Sequence, residues 1–148
     1  MKNDSLGFEI AETAIQLRRS FDGRAQKLGV TRAQWRVLAR LNKFPGLKQV
    51  ELADMLDIEP ITLCRHIDRL EEAGLVARRR DPADRRAWRL DLTAQAGPLV
   101  EKLTQVATEL SLVAFAGLEP ADLDTLRRFL AQIRDNCAAA ANENRVSA

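Results

Sequence analysis

The stretch Glu51-Leu52-Ala53-Asp54-Met55-Leu56-Asp57-Ile58-Glu59-Pro60-Ile61-Thr62-Leu63 decides the fold. Ala53 is small enough to let two helices approach closely. Asp57 follows four residues later, where the chain must turn. Gly often holds that place, and Asp tolerates the left-handed conformation better than most residues. Leu63, six residues further on, is an apolar anchor that docks the second helix on the first. Pro60 suits the first turn of a helix, where its missing N–H would be unpaired anyway. The spacing predicts a short helix over about 48–56 with Leu52, Ala53 and Leu56 inward, then a turn at Asp57-Ile58-Glu59. A second helix follows over about 60–73, with Leu63, Ile67 and Leu70 on one face and Gly74 closing it.

The same punctuation continues on both sides. Upstream, Thr31-Arg32-Ala33-Gln34 reads as a capping box, with Val30 and Trp35 at hydrophobic-staple positions. It opens a helix to about Lys43 that buries Trp35, Leu38 and Leu41 and ends at Pro45-Gly46. Before it, Ile10, Ala14, Leu17, Phe21, Ala25 and Leu28 recur at helical steps over 8–28, and Gly29 closes the run. Phe8, Ala11 and Ile15 make a second apolar face. That helix therefore needs cover from two sides, by a partner subunit, a ligand or more core.

Downstream the period changes. Trp88, Leu90 and Leu92 alternate with Arg89 and Asp91, the pattern of a half-exposed strand, with 75–80 as its partner and 81–87 as an exposed hairpin loop. Thr93 reads as the N-cap of a fifth helix whose start Gly97-Pro98 disturbs. Two apolar seams follow, Leu99 to Val113 and Leu123 to Cys137, broken at Gly117 and restarted at Pro120; both call for partner helices. The polar tail over 142–148 is expected to fray. Together these elements predict a mainly α (α+β) fold. Residues 31–93 form a winged helix-turn-helix with a two-stranded β-wing, and further helices flank it at both ends.

Composition narrows the function. The chain has 148 residues, 46% hydrophobic and 30% charged, which excludes wholesale disorder. Aromatic residues make up 5% and Tyr is absent, so the core must be mostly Leu, Ile, Val and Ala. A formal charge of +2 excludes a histone-like polycation but hides a local excess. Every basic residue between 60 and 93 is Arg, and Arg78, Arg79, Arg80, Arg85, Arg86 and Arg89 crowd into one short stretch with Asp81 and Asp84. The planar fork of Arg suits phosphates and guanine edges.

The chain has no phosphate-cradling Gly loop, no metal-ligand spacing and no nucleophile with a base, and acid pairs such as Glu71-Glu72 fall on exposed helix faces. An enzyme is not expected, nor a cofactor or metal. Cys64 and Cys137 form no CxxC and read as small hydrophobes. Met1 to Ile10 lacks the apolar run of a signal peptide and no stretch is long enough to span a membrane, so a cytoplasmic location is expected.

The candidate site lies on the 60–73 helix and on the hairpin loop. Pro60 and Ile61 open that helix, and Thr62, Arg65, His66 and Arg69 lie off its apolar side, near the end that enters a major groove in this motif. Arg65 can take guanine O6 and N7 together, and Thr62 a phosphate or base edge. His66, the only His in the chain, has no partners for a metal site. Arg69 is equally suited to pair with an acid on its own helix. At the tip of the hairpin, Asp84-Arg85-Arg86 can present Arg to a minor groove. The competing reading is a solvated ribbon with local salt bridges.

These residues carry a resemblance. The segments Thr31-Arg32-Ala33-Gln34-Trp35, Glu51-Leu52-Ala53, Ile58-Glu59-Pro60, Leu70-Glu71-Glu72-Ala73-Gly74-Leu75-Val76 and above all Asp81-Pro82-Ala83-Asp84-Arg85-Arg86-Ala87 with Leu92-Thr93 resemble the MarR family of bacterial transcriptional regulators, within it the SlyA-like branch. The resemblance implies a homodimer, with residues 1–30 and 94–148 as its dimerisation region. It also implies binding to a pseudo-palindromic double-stranded operator, usually as a repressor, with Arg86 in the minor groove and Asp84 holding the wing through an Arg salt bridge. Many members release DNA when a small phenolic or aromatic carboxylate binds; here Phe8, Ala11, Ile15 and Trp35 would line that cavity, unless they are plain core or dimer contacts. The alternative function is a winged-helix protein-interaction or architectural module without sequence-specific operator binding.

Overall fold

The computed structural model describes residues 2–146. Two compact units divide after Ser111. The first begins with α1 (Lys2–Gln26), whose C-terminal half packs on α2 (Arg32–Lys43). Thr31 caps α2 as the capping-box pattern requires: Gln34 N donates to Thr31 Oγ1 at 3.2 Å and Thr31 N donates to Gln34 Oε1 at 3.0 Å. Val37, Leu38 and Leu41 are buried, while Trp35 is half-buried against Phe21.

A two-residue strand, β1 (Leu47–Lys48), leads into α3 (Gln49–Leu56), and α4 (Pro60–Glu72) follows. Asp57 takes the left-handed conformation at φ 51°, and Ile58 N donates to Ala53 O at 3.1 Å. The Asp turn therefore does what a Gly would do there. Leu52, Ala53, Leu63, Ile67 and Leu70 interlock as the spacing predicts. No aromatic residue belongs to the buried core of the described residues.

Strands β2 (Val76–Arg80) and β3 (Trp88–Leu92) form the wing hairpin, with Val76 opposite Leu92 and Arg80 opposite Trp88. The sheet is three-stranded, in the order β1-β3-β2, where the sequence pattern shows only the two wing strands. Leu47 and Lys48 pair with Leu90 and Arg89, and two residues are too few for any periodicity to appear.

Thr93 does not cap with its side chain. Its hydroxyl donates to Gly74 O at 2.5 Å, tying the end of β3 to the turn after α4, and a 3₁₀ turn (Ala94–Ala96) precedes α5 (Gly97–Ala114). In the second unit α6 (Pro120–Val146) continues helical through 142–146, where a frayed tail is expected; residues 147–148 lie outside the described residues. Its Leu126, Phe129 and Ile133 are exposed. Among the described residues no helix is long and apolar enough to cross a membrane.

Candidate nucleic-acid interface

Helix α4 separates its residues cleanly. Leu63, Ile67 and Leu70 are fully buried, so the opposite side of the helix faces outward. Pro60, Ile61, Thr62, Arg65 and Arg69 are exposed, and His66 is half-buried. The guanidinium groups of Arg65 and Arg69 have no hydrogen-bond or ion-pair partner among the described residues. Two acids of the same helix, Asp68 and Glu71, are taken by Arg78.

Arg78 on β2 is the residue that sequence reading places in a basic ribbon and the structure places in a joint. Its side chain is 12% exposed and pairs with Asp68 at 2.7 Å and Glu71 at 3.1 Å. It also donates to Cys64 O at 3.2 Å and to Gln49 Oε1 at 3.2 Å. It thus holds the wing, the N-terminus of α3 and the middle of α4 in one arrangement. Burial alone would lower its pKa; the charges and hydrogen bonds of Asp68 and Glu71 outweigh that and raise it.

Three other wing arginines are also committed. Arg79 Nε donates to Asp91 Oδ2 at 2.6 Å. Arg80 lies 3.8 Å over the Trp88 ring and donates to Arg85 O at 2.8 Å. Arg89 donates to Asp81 Oδ2 at 2.8 Å and to Gly46 O at 2.9 Å. Arg85 and Arg86 differ: both are exposed at the tip, and neither side chain has a partner among the described residues. Of six arginines in the wing, the fold holds four and leaves these two free.

Among the described residues Asp84 forms no salt bridge, where the resemblance implies one to an Arg. Its Oδ1 accepts from Arg86 N at 3.0 Å, shaping the turn that presents the tip. The ionic anchor is Asp81, the one buried charged residue among the described residues, at 2% exposure. Ala83 N donates to Asp81 Oδ1 at 2.8 Å, and Arg89 and Lys48 supply its countercharges. The Ala83 hydrogen bond holds the Asp81 carboxyl below the usual range against the opposing effect of burial, helped by the charges of Arg89 and Lys48 and by the Asp84 backbone. The signal for Asp81 is its place just before a hairpin tip, where an Asx turn forms, but its partners are too distant in sequence to be read there.

The scaffold behind the site has two further polar ties. Arg36 of α2 donates to Leu56 O at 2.6 Å, satisfying a carbonyl at the end of α3 just before the turn. Asp22 of α1 accepts from Trp35 Nε1 at 2.7 Å and from Arg32, with which it also forms an ion pair. Burial tends to raise the Asp22 pKa, but those hydrogen bonds and the charges of Arg32 and Arg18 bring it below the ordinary range.

Of the four residues expected to line an effector cavity, Phe8 is 73% and Ile15 38% exposed, Ala11 is exposed, and Trp35 is engaged with Phe21 and Asp22. Ile15 lines a polar depression with Glu9, Glu12, Thr13, Gln16 and Arg19 that includes none of the other three. Among the described residues no group of three or more His, Cys, Asp or Glu side chains converges as a metal site would require.

A profile of the MarR family matches residues 28–87. The fold is similar to that of the transcriptional regulator PA3341, with a TM-score of 0.84 and 30% identity over 90% of this chain and 98% of that one. A MarR transcriptional regulator from Methanosarcina mazei Go1 superposes with a TM-score of 0.81 and 25% identity over 93% and 99% of the two chains. A cysteine-to-serine variant of MarR from E. coli, crystallised in complex with operator DNA, does so with a TM-score of 0.73 and 27% identity over 87% and 93%.

Proposed function

The chain belongs to the MarR family of transcriptional regulators and is a DNA-binding regulator of that type; from that premise we propose that it acts as a homodimeric repressor of the SlyA-like branch on a pseudo-palindromic operator. Residues 31–93 read the DNA, and residues 1–30 and 94–148 join the two copies. Pro60, Ile61, Thr62, Arg65, His66 and Arg69 form the major-groove surface, and Asp84, Arg85 and Arg86 the minor-groove tip.

The observation that carries this reading is the selective freedom of Arg65, Arg69, Arg85 and Arg86 while every other wing arginine is held by the fold. Unpaired arginines on a groove-sized helix and a hairpin tip are available to an anion. The E. coli relative, bound to operator DNA in its crystal, supports duplex DNA as that anion. The wing sequence Asp81-Pro82-Ala83-Asp84-Arg85-Arg86-Ala87 with Leu92-Thr93 supports the branch. Exposed apolar side chains in both units, among them Leu6, Phe8 and Ile15 in one and Phe129 and Ile133 in the other, support a second copy as their cover.

Mechanistically, the dimer sets the separation of two α4 helices to one helical turn of DNA, about 34 Å. A small phenolic or aromatic carboxylate that prefers another separation lowers affinity by its differential affinity for the two states, and by no more. Selection of bound sites from random duplexes tests the reading. A dyad-symmetric consensus is expected, with log K falling by about 0.9 per neutralised phosphate as log salt rises. A protein-docking module gives neither slope nor consensus; an architectural binder gives the slope alone.

A further inference from the structure

The outward stripe of α4 runs Ile61, Arg65, Arg69 at four-residue steps, opposite the buried Leu63, Ile67 and Leu70. Two of its members are unpaired cations. The third is a branched alkyl group, 63% exposed, on the second residue of the helix. A single exposed Ile is ordinary on a protein surface, but this one stands in the N-terminal turn that meets base edges in helix-turn-helix proteins. The core does not use it, since Leu63 and Ile67 already dock α4. The major groove offers one apolar group to such a side chain, the 5-methyl of thymine.

We infer that Ile61 is a specificity-determining residue that packs against a thymine methyl in each operator half-site. The inference rests on the reading of α4 as the major-groove helix. Four residues of helix advance about 6 Å, and base pairs are spaced by about 3.4 Å. With α4 lying along the groove, the thymine falls within a few base steps of the base that Arg65 reads.

The test uses the full-length protein and the duplex recovered by selection, with each thymine replaced in turn by deoxyuridine, which removes the methyl and nothing else. Burying one methyl group is worth about fourfold in affinity, so symmetric replacement in both half-sites should weaken the wild type by about sixteenfold at one position. Ile61→Ala should bind thymine and deoxyuridine duplexes alike at that position, whereas Ile61→Val, which keeps a branched apolar surface, should still discriminate. Both variants should melt with the wild type, because the side chain is outside the core. If the wild type ignores the methyl at every thymine, or if Ile61→Ala discriminates as well as the wild type, the inference is overturned while operator binding stands. If no sequence is selected at all, the reading of α4 fails first and this inference falls with it.

Discussion

The base and the tip of the wing are built from the same residue and do opposite things. At the base, Arg78, Arg79, Arg80 and Arg89 are spent on carboxylates, carbonyls and the Trp88 ring, and they hold strand to strand and wing to helix. At the tip, Arg85 and Arg86 have their backbone fixed by Asp84 and Arg80 and their side chains left in solvent. The lesson is that a basic run is not uniformly a binding surface. A held Arg contributes to stability and to the angle of the wing; a free one contributes charge to a partner. Helix α4 repeats the division, with Arg65 and Arg69 free beside an Asp68 that is already taken.

Removing free and held arginines in turn tests this division. Arg65→Ala should cause the largest change, about 1–3 kcal/mol of operator affinity with relaxed base preference and an unchanged melting temperature; binding assays against the consensus and its point variants measure it. Arg78→Met should reverse that signature. It strips partners from Cys64 O and Gln49, at a cost of about 2 kcal/mol of folding stability, or about 4–8 °C in Tm for a chain of this size. A melt that did not move would break the distinction between base and tip. Arg86→Ala should lower the salt slope by about 0.9 if the side chain meets one phosphate, with folding intact.

The Asp81 anchor makes a pH prediction. Its carboxyl is held below the ordinary range in the folded chain, so the unfolded chain binds its proton more readily. The stabilisation is present above the unfolded pKa, near 3.9, and is lost as pH falls through the folded value. Thermal melts of Asp81→Asn should therefore lose less stability than the wild type as pH drops below about 4. A matching acid limb in both proteins would remove Asp81 from its role. The smallest effect belongs to Arg79→Ala, an exposed pair with Asp91, expected to stay within about 0.5 kcal/mol in chemical denaturation.

Much of this molecule is legible from local pattern. The Thr31 capping box, the Asp57 turn, the Pro60 start of α4 and the alternation of β3 are each written within a few residues. What escapes is long-range or brief: β1 has two residues and its partner lies more than forty positions on, and Asp22 meets Trp35 across a helix end. Candidate residues on α4 are found by subtraction, since its apolar stripe identifies the exposed side. Asp81 and Asp84 are confused because both precede small turns, and only the contacts show which carboxylate is buried.

Sequence alone determined the order of the six helices and the two wing strands, the Leu, Ile, Val and Ala core and the place of the turn, because periodicity, capping and backbone preference act between near neighbours. The tertiary structure alone decided which charged groups neutralise one another. Arg89 reaches Gly46 and Arg78 reaches Gln49 across the folded chain, and a guanidinium becomes available to a partner only when no internal acceptor lies within hydrogen-bond reach. That condition depends on three-dimensional proximity, which no local spacing encodes.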